Sequence, residues 1–196
     1  VRSAFLATLV LIPLQVPAVS VPVDLTGVQP GPISVVRGDD SVTVTWPDET
    51  ARAWRATFSL NPAQPLITSI GPDGEAVVRG ARPFYQGETG KRRGGWYAFF
   101  DDPASHPDGT RHVRSTFQLR GATARSVGER VEIVFDGLGM GSFDGSLAYT
   151  FYPGSRLIHQ EAVLTTYDAD VAYYYDAGLD MAAASDRQPG NNMRTE

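Results

Sequence analysis

Apolar and polar residues alternate one by one along most of this chain, and a period of two restricts it to a fold built from strands. In residues 41–46 (SVTVTW), Val42, Val44 and Trp46 fall on one side of the backbone. Residues 52–60 repeat the pattern: Trp54, Ala56, Phe58 and Leu60 face one way, and Ala53, Arg55, Thr57 and Ser59 the other. Successive side chains of a strand point to opposite faces, so each run buries one side and wets the other. Nowhere do apolar residues recur in a sustained i, i+3, i+4 pattern. Helix is therefore expected in less than about 10% of the chain beyond residue 20.

Further strands are expected in residues 66–70 and 75–79, on either side of the turn formers Gly71-Pro72-Asp73-Gly74. Residues 96–100 (WYAFF) read as a buried strand, and 112–127, 130–135, 146–152, 156–166 and 171–175 as β-branched or aromatic strands. Val127-Gly128-Glu129-Arg130 and Tyr152-Pro153-Gly154-Ser155 read as hairpin connections. Residues 21–32, with three prolines and two glycines, read as a linker or irregular first edge. Residues 80–95 read as a long loop rich in Gly and Arg, and 101–109 as a second loop. The sum is an all-β fold: about ten or more antiparallel strands in a two-sheet sandwich or supersandwich. Its core is expected to hold Trp54, Phe58, Val131, Ile133, Phe135, Leu147, Tyr149 and Phe151.

Residues 1–20 read as a secretory signal peptide. Arg2 is the positive start, residues 4–16 are an apolar run too short to span a bilayer, and Ala18-Val19-Ser20 sets small residues at a cleavage point. No second apolar run long enough for a membrane helix follows. Val1 reads as an initiator from an alternative start codon, hence a bacterial reading frame. Residues 21–181 then form the sandwich domain. Residues 182–196 are a polar tail or linker that can lead into a further domain. The chain has no cysteine, which removes thiol nucleophiles, cysteine zinc sites and iron–sulfur clusters. With the signal it points to a secreted or periplasmic bacterial protein. A net charge of −5 argues against a nucleic-acid partner, which calls for a basic stripe.

Residues 130–166 run as a strand, a Gly-rich turn and SLAYTFYPGSRLIHQEAVLTT. This pattern resembles the central hairpins of galactose-mutarotase-like supersandwich domains. The resemblance implies a carbohydrate setting, because such domains occur as sugar epimerases and as domains of glycoside hydrolases and polysaccharide lyases. It carries over no catalytic residue, since the epimerase His and Glu motifs have no counterpart that can be placed here.

Four groups of residues are candidates for function. His159 and Glu161 stand two apart on one strand face, Cα atoms roughly 7 Å from each other, a workable general acid/base pair. Leu157 and Val163 share that face, so a half-buried sheet surface is the competing account. Arg92 and Arg93, after Lys91 and before Gly94, Gly95, Trp96 and Tyr97, bring cations beside flat rings. Such a group suits an acidic polysaccharide; a solvated loop is the alternative. Tyr174 lies between Tyr173 and Tyr175 and faces the other way, so one side of this strand can stack on a sugar ring, with core packing as the competing account. Asp101, Asp102 and Asp108 offer oxygens for calcium, or ordinary turn chemistry. His106, His112 and His159 lack metal-ligand spacing, and no metal site or cofactor is expected. Three functions compete: a glycan-recognising sandwich, free-standing or leading a larger glycan-processing protein; a sugar epimerase or glycan-cleaving enzyme using His159 and Glu161; and an interaction module of the bacterial surface.

Overall fold

The computed structural model describes residues 21–92 and 110–181. These form twelve strands and no helix: β1 (Val23–Gly27), β2 (Ser34–Arg37), β3 (Ser41–Pro47), β4 (Ala53–Ser59), β5 (Ile67–Pro72), β6 (Val78–Lys91), β7 (Thr110–Arg114), β8 (Thr116–Val127), β9 (Arg130–Met140), β10 (Phe143–Phe151), β11 (Ile158–Thr165) and β12 (Val171–Met181). Five strands make one sheet in the order β1-β8-β9-β10-β11. The other sheet runs β12-β6-β5-β4-β3-β2, with β7 added against β6. The expected all-β two-sheet sandwich is the fold that forms. Its neighbours are antiparallel except β1 and β8, which pair in parallel.

Local chemistry sets the hairpins. Gly128 takes φ +64° at the first central position of the two-residue loop between Val127 and Arg130, the position where a hairpin turn of this kind wants glycine. In the hairpin between β10 and β11 Pro153 presets its own φ and Gly154 takes φ +77° after it. That turn is tied to the opposite sheet. The Trp46 Nε1–H donates to the Ser155 carbonyl at 2.8 Å, and the Gly154 N–H donates to the Pro47 carbonyl at 2.9 Å.

One expected loop is a strand instead, and the stretch expected as a linker or irregular first edge is an edge strand with a register shift. Residues 21–32 contain β1, because the prolines at 22, 30 and 32 lie outside Val23–Gly27 and leave its ladder intact. Residues 80–91 belong to β6, which runs fourteen residues through Gly80, Pro83, Gly87 and Gly90. Pro83 falls between the end of pairing with β5 at Ala81 and the start of pairing with β7 at Gln86. In that gap the Tyr85 N–H donates to Ser115 Oγ at 2.8 Å, and the Ser115 N–H donates to the Tyr85 carbonyl at 2.7 Å. Ser115 is thus the corner at which the chain leaves one sheet as β7 and enters the other as β8. The expected strand at 96–100, the loop at 101–109, the signal segment and the tail lie outside the described residues.

The core fills the space between the sheets. Phe58 meets Phe135 at 4.8 Å and Tyr149 at 4.9 Å between ring centroids, and Trp46 meets Phe151 at 4.9 Å. Seven of the eight expected core residues are buried, and Trp54 is half-buried. Trp54 sits near the sandwich's end, where its Nε1–H donates to Asp48 Oδ2 at 3.1 Å, and that bond holds part of the indole at the surface.

Asp48 gathers more than that one donor. Its Oδ1 accepts from the N–H groups of Thr50 and Arg52 and from the Thr50 hydroxyl, at 2.7–2.9 Å. Desolvation pushes the carboxyl up, and these four hydrogen bonds together outweigh it and hold its pKa at about 2. A depressed carboxyl stabilises the fold fully above the unfolded value near 4, and this contribution disappears as pH falls toward about 2. Thermal midpoints measured from pH 5 to pH 2 are expected to fall more steeply for the native chain than for Asp48→Asn. Parallel curves would show that other carboxylates carry the acid response.

Candidate functional site

β12 pairs with β6 rung by rung from Val171 against Lys91 to Met181 against Ala81, and this register fixes what each of its tyrosines faces. Strand alternation sends Tyr173 and Tyr175 toward the space between the sheets and Tyr174 to the outer face.

On the inner side lies a cleft of about 120 Å³, lined by Tyr85, Met140, Phe143, Ala162, Leu164, Tyr173 and Tyr175. It exists because β11 and β12 are the edges of their two sheets and do not pair with each other. The rings form a chain of contacts. Phe143 meets Tyr173 edge-on at 5.5 Å, Tyr173 meets Tyr175 at 6.1 Å, and Tyr175 meets Tyr85 at 5.9 Å. Tyr85 is buried, while Tyr173 and Tyr175 remain 36% and 50% exposed. The Gln160 Nε2–H donates to the Tyr85 hydroxyl at 3.1 Å. Tyr149, opposite Gln160 on β10, is buried, and its hydroxyl has no hydrogen-bond partner among the described residues.

Burial pushes the Tyr149 phenol far above its ordinary value, and Tyr85 adds to the shift. The Tyr85 phenol is also raised, by burial first, against the lowering effect of Gln160. Both are therefore neutral at physiological pH. They can donate and accept hydrogen bonds, and they are not bases. Among the described residues no cation or carboxylate lines this cleft. Its chemistry suits an uncharged ring with hydroxyl edges.

The outer side differs. Across β7, β6 and β12, one rung carries His112, Glu88 and Tyr174, and the rung two residues along carries Arg114, Gln86 and Asp176. These six residues line a shallow polar groove with Gly87 and Val113 between them. His112 Nδ1 lies 3.3 Å from Glu88 Oε1. Arg114 reaches Asp180 at 2.5 Å while its guanidinium covers the Phe84 ring at 4.3 Å. Gly87 has a tertiary cause, since a Cβ there would lie 1.9 Å from the Tyr174 carbonyl oxygen.

The expected site residues separate into two places. Tyr174 is on the outer groove, and Arg92 continues the same ribbon four residues beyond Glu88, its N–H donating to the Asp170 carbonyl at 2.7 Å. His159 and Glu161 are on β11 opposite Thr150 and Ala148, exposed with Val163 on the outer face of the five-stranded sheet. The residues of β11 that reach the cleft are Ala162 and Leu164, of opposite parity, so the expected acid/base pair points away from it. Arg93, Trp96, Tyr97 and the aspartates at 101, 102 and 108 lie outside the described residues. Among the described residues no three His, Asp or Glu side chains gather as metal ligands.

Phe143 and Gln160 were not singled out from the sequence. Parity was the available signal for Phe143, which falls in line with Leu147, Tyr149 and Phe151 when the strand is extended backward. No family model matches this chain, and neither a curated protein nor a solved structure does.

Proposed function

We propose that this chain is a secreted, carbohydrate-associated β-sandwich that recognises a glycan through the tyrosines of β12, as a free-standing module or the leading domain of a larger glycan-processing protein. The observation that carries this reading is the inner cleft. Tyr173 and Tyr175 keep their rings half-exposed although Phe143 and Tyr85 pack beside them. A sugar ring presents an apolar C–H face and a hydroxyl rim; tyrosine offers an apolar body and a polar tip to match. At about 120 Å³ the cleft is well below an enclosing pocket, so it takes one ring and leaves the rest of a chain outside. The outer groove adds Tyr174 and hydrogen-bonding partners in Gln86 and Glu88, and Arg92 follows four residues beyond Glu88 in the chain. The supersandwich-like pattern of residues 130–166 and the secretory start of the chain support the same setting.

Calorimetry or glycan-array binding tests it. Tyr175→Ala is expected to weaken binding at least tenfold, a loss of about 1.4 kcal/mol, at every salt concentration. Arg92→Ala should remove salt dependence if the ligand is an acidic polysaccharide. The double variant His159→Ala, Glu161→Gln should bind like the native chain. Turnover of a sugar substrate that this double variant abolishes would replace recognition with the enzymatic reading. Absence of binding to neutral and acidic glycans alike would leave an interaction module.

A further inference from the structure

Of the ten large apolar residues that stand exposed among the described residues, five lie on β12: Tyr173, Tyr174, Tyr175, Leu179 and Met181. They share a strand that is eleven residues long, paired with β6 without a register shift, and, among the described residues, unpaired along its other edge. A free edge presents a row of unused N–H and C=O groups, and sheet proteins ordinarily blunt it with lysine, proline, a bulge or shortness. β12 (VAYYYDAGLDM) has none of these devices. Two of the other edges do. β2 has four residues and β1 has five with a register shift, while β11 has eight against the eleven of β12; charge does not separate those two, since β11 carries Glu161 and β12 carries Asp176 and Asp180.

We infer that β12 is a dimerisation edge, pairing antiparallel with β12 of a second copy of this chain about a twofold axis through Ala177. The register follows from side-chain complementarity. About Ala177, the inner face sets Tyr175 against Leu179 and Tyr173 against Met181 of the second copy, with the small Ala177 opposite itself. The outer face sets Tyr174 against Asp180 and Asp176 against Gly178. Tyr173, Tyr175, Leu179 and Met181 on the inner face then each meet another large apolar residue, and no two carboxylates of the strand meet. A register centred on Asp176 opposes two carboxylates. One centred on Tyr175 brings Asp170 to Asp180. One centred on Tyr174 leaves Leu179 and Met181 without partners. Like charges directly opposed are destabilising, so the register at Ala177 wins. Arg114 already holds Asp180 at 2.5 Å, and the tyrosine hydroxyl of the second copy would add a donor to that carboxylate. The two seven-stranded sheets would join into one continuous sheet and bring two tyrosine clefts side by side.

The absence of cysteine makes the register directly testable. Sedimentation velocity of the purified full chain is expected to show a concentration-dependent monomer–dimer equilibrium. Under mild oxidation Ala177→Cys should give a covalent dimer, because opposed residues of an antiparallel pair come within disulfide reach. Val163→Cys, an exposed position on β11, should not. Leu179→Lys should raise the dissociation constant at least tenfold while the thermal midpoint of the monomer stays unchanged. A chain that sediments as a monomer at all concentrations, with Ala177→Cys linking no faster than Val163→Cys, would overturn the inference. So would a dimer that Leu179→Lys leaves intact.

Discussion

Replacing Phe58 by alanine is expected to lower the free energy of unfolding by about 3–5 kcal/mol. The ring is fully buried on β4, between Val42 on β3 and Ile67 on β5, and it reaches across to Phe135 and Tyr149 of the opposite sheet. Loss of the ring removes apolar surface from the core and leaves a cavity whose walls belong to two hydrogen-bonded sheets. Neither sheet can collapse inward without breaking ladder bonds on both sides, so little of the cavity closes. Urea unfolding followed by tryptophan fluorescence measures the cost, with an unchanged denaturant slope as the sign that only stability moved. Val36→Ala on the exposed edge strand β2 is the control, expected within about 0.5 kcal/mol of the native chain. A loss below about 1 kcal/mol for Phe58→Ala would place the inner face on the wrong side of β4.

The faces of the strands were legible because alternation reports burial directly. Val42, Val44 and Trp46 on β3, and Ala56 and Phe58 on β4, are buried as their spacing requires. β6 was hidden for a physical reason: its glycines and proline are turn formers by composition, and the cause of Gly87 is the β12 backbone, eighty-eight residues away in sequence at Tyr175. A requirement imposed by a distant strand leaves no local pattern. β11 shows the same limit at the candidate site. Leu157 and Val163 share the parity of His159 and Glu161 and mark that face as partly apolar by sequence, yet Leu157 precedes the strand and is 78% exposed. The set that turns inward is Ile158, Gln160, Ala162 and Leu164, with the polar Gln160 retained to meet the Tyr85 hydroxyl. The opposed faces of Tyr174 and its two neighbours could be read from alternation alone. The partners that turn those faces into a cleft and a groove come from β6, β7, β10 and β11, and only the register brings them there.

Gly137→Ala is expected to cost about 3 kcal/mol or more, from two sources that add. Gly137 has φ +120°, a backbone state that residues with a Cβ rarely adopt, and that strain alone is worth about 1–3 kcal/mol. A Cβ at this position would also lie 1.8 Å from the Gln118 carbonyl oxygen and 2.6 Å from its carbon. The obstacle is backbone, so no side-chain rotation relieves it. It arises from an irregular stretch of the β8–β9 ladder. Phe117 faces Leu138 and Gly121 faces Asp136, so Gln118, Leu119 and Arg120 stand opposite Gly137 alone. A bulge bends its strand and sharpens the local twist. Here it lies just beyond Ser115, where the chain crosses from β7 in one sheet to β8 in the other. Moving β8 to admit the methyl group would displace Leu119, which is buried in the same core as Leu138 of β9. Gly128→Ala separates the two costs, because Gly128 also has positive φ, at +64°, but has open space around its Cβ position. It should lose about 1 kcal/mol, the strain alone. Parallel urea curves for the two variants give the comparison. A large gap assigns the excess to the backbone contact at Gln118; equal losses would mean that β8 yields there and that the crossover between sheets tolerates a straighter strand.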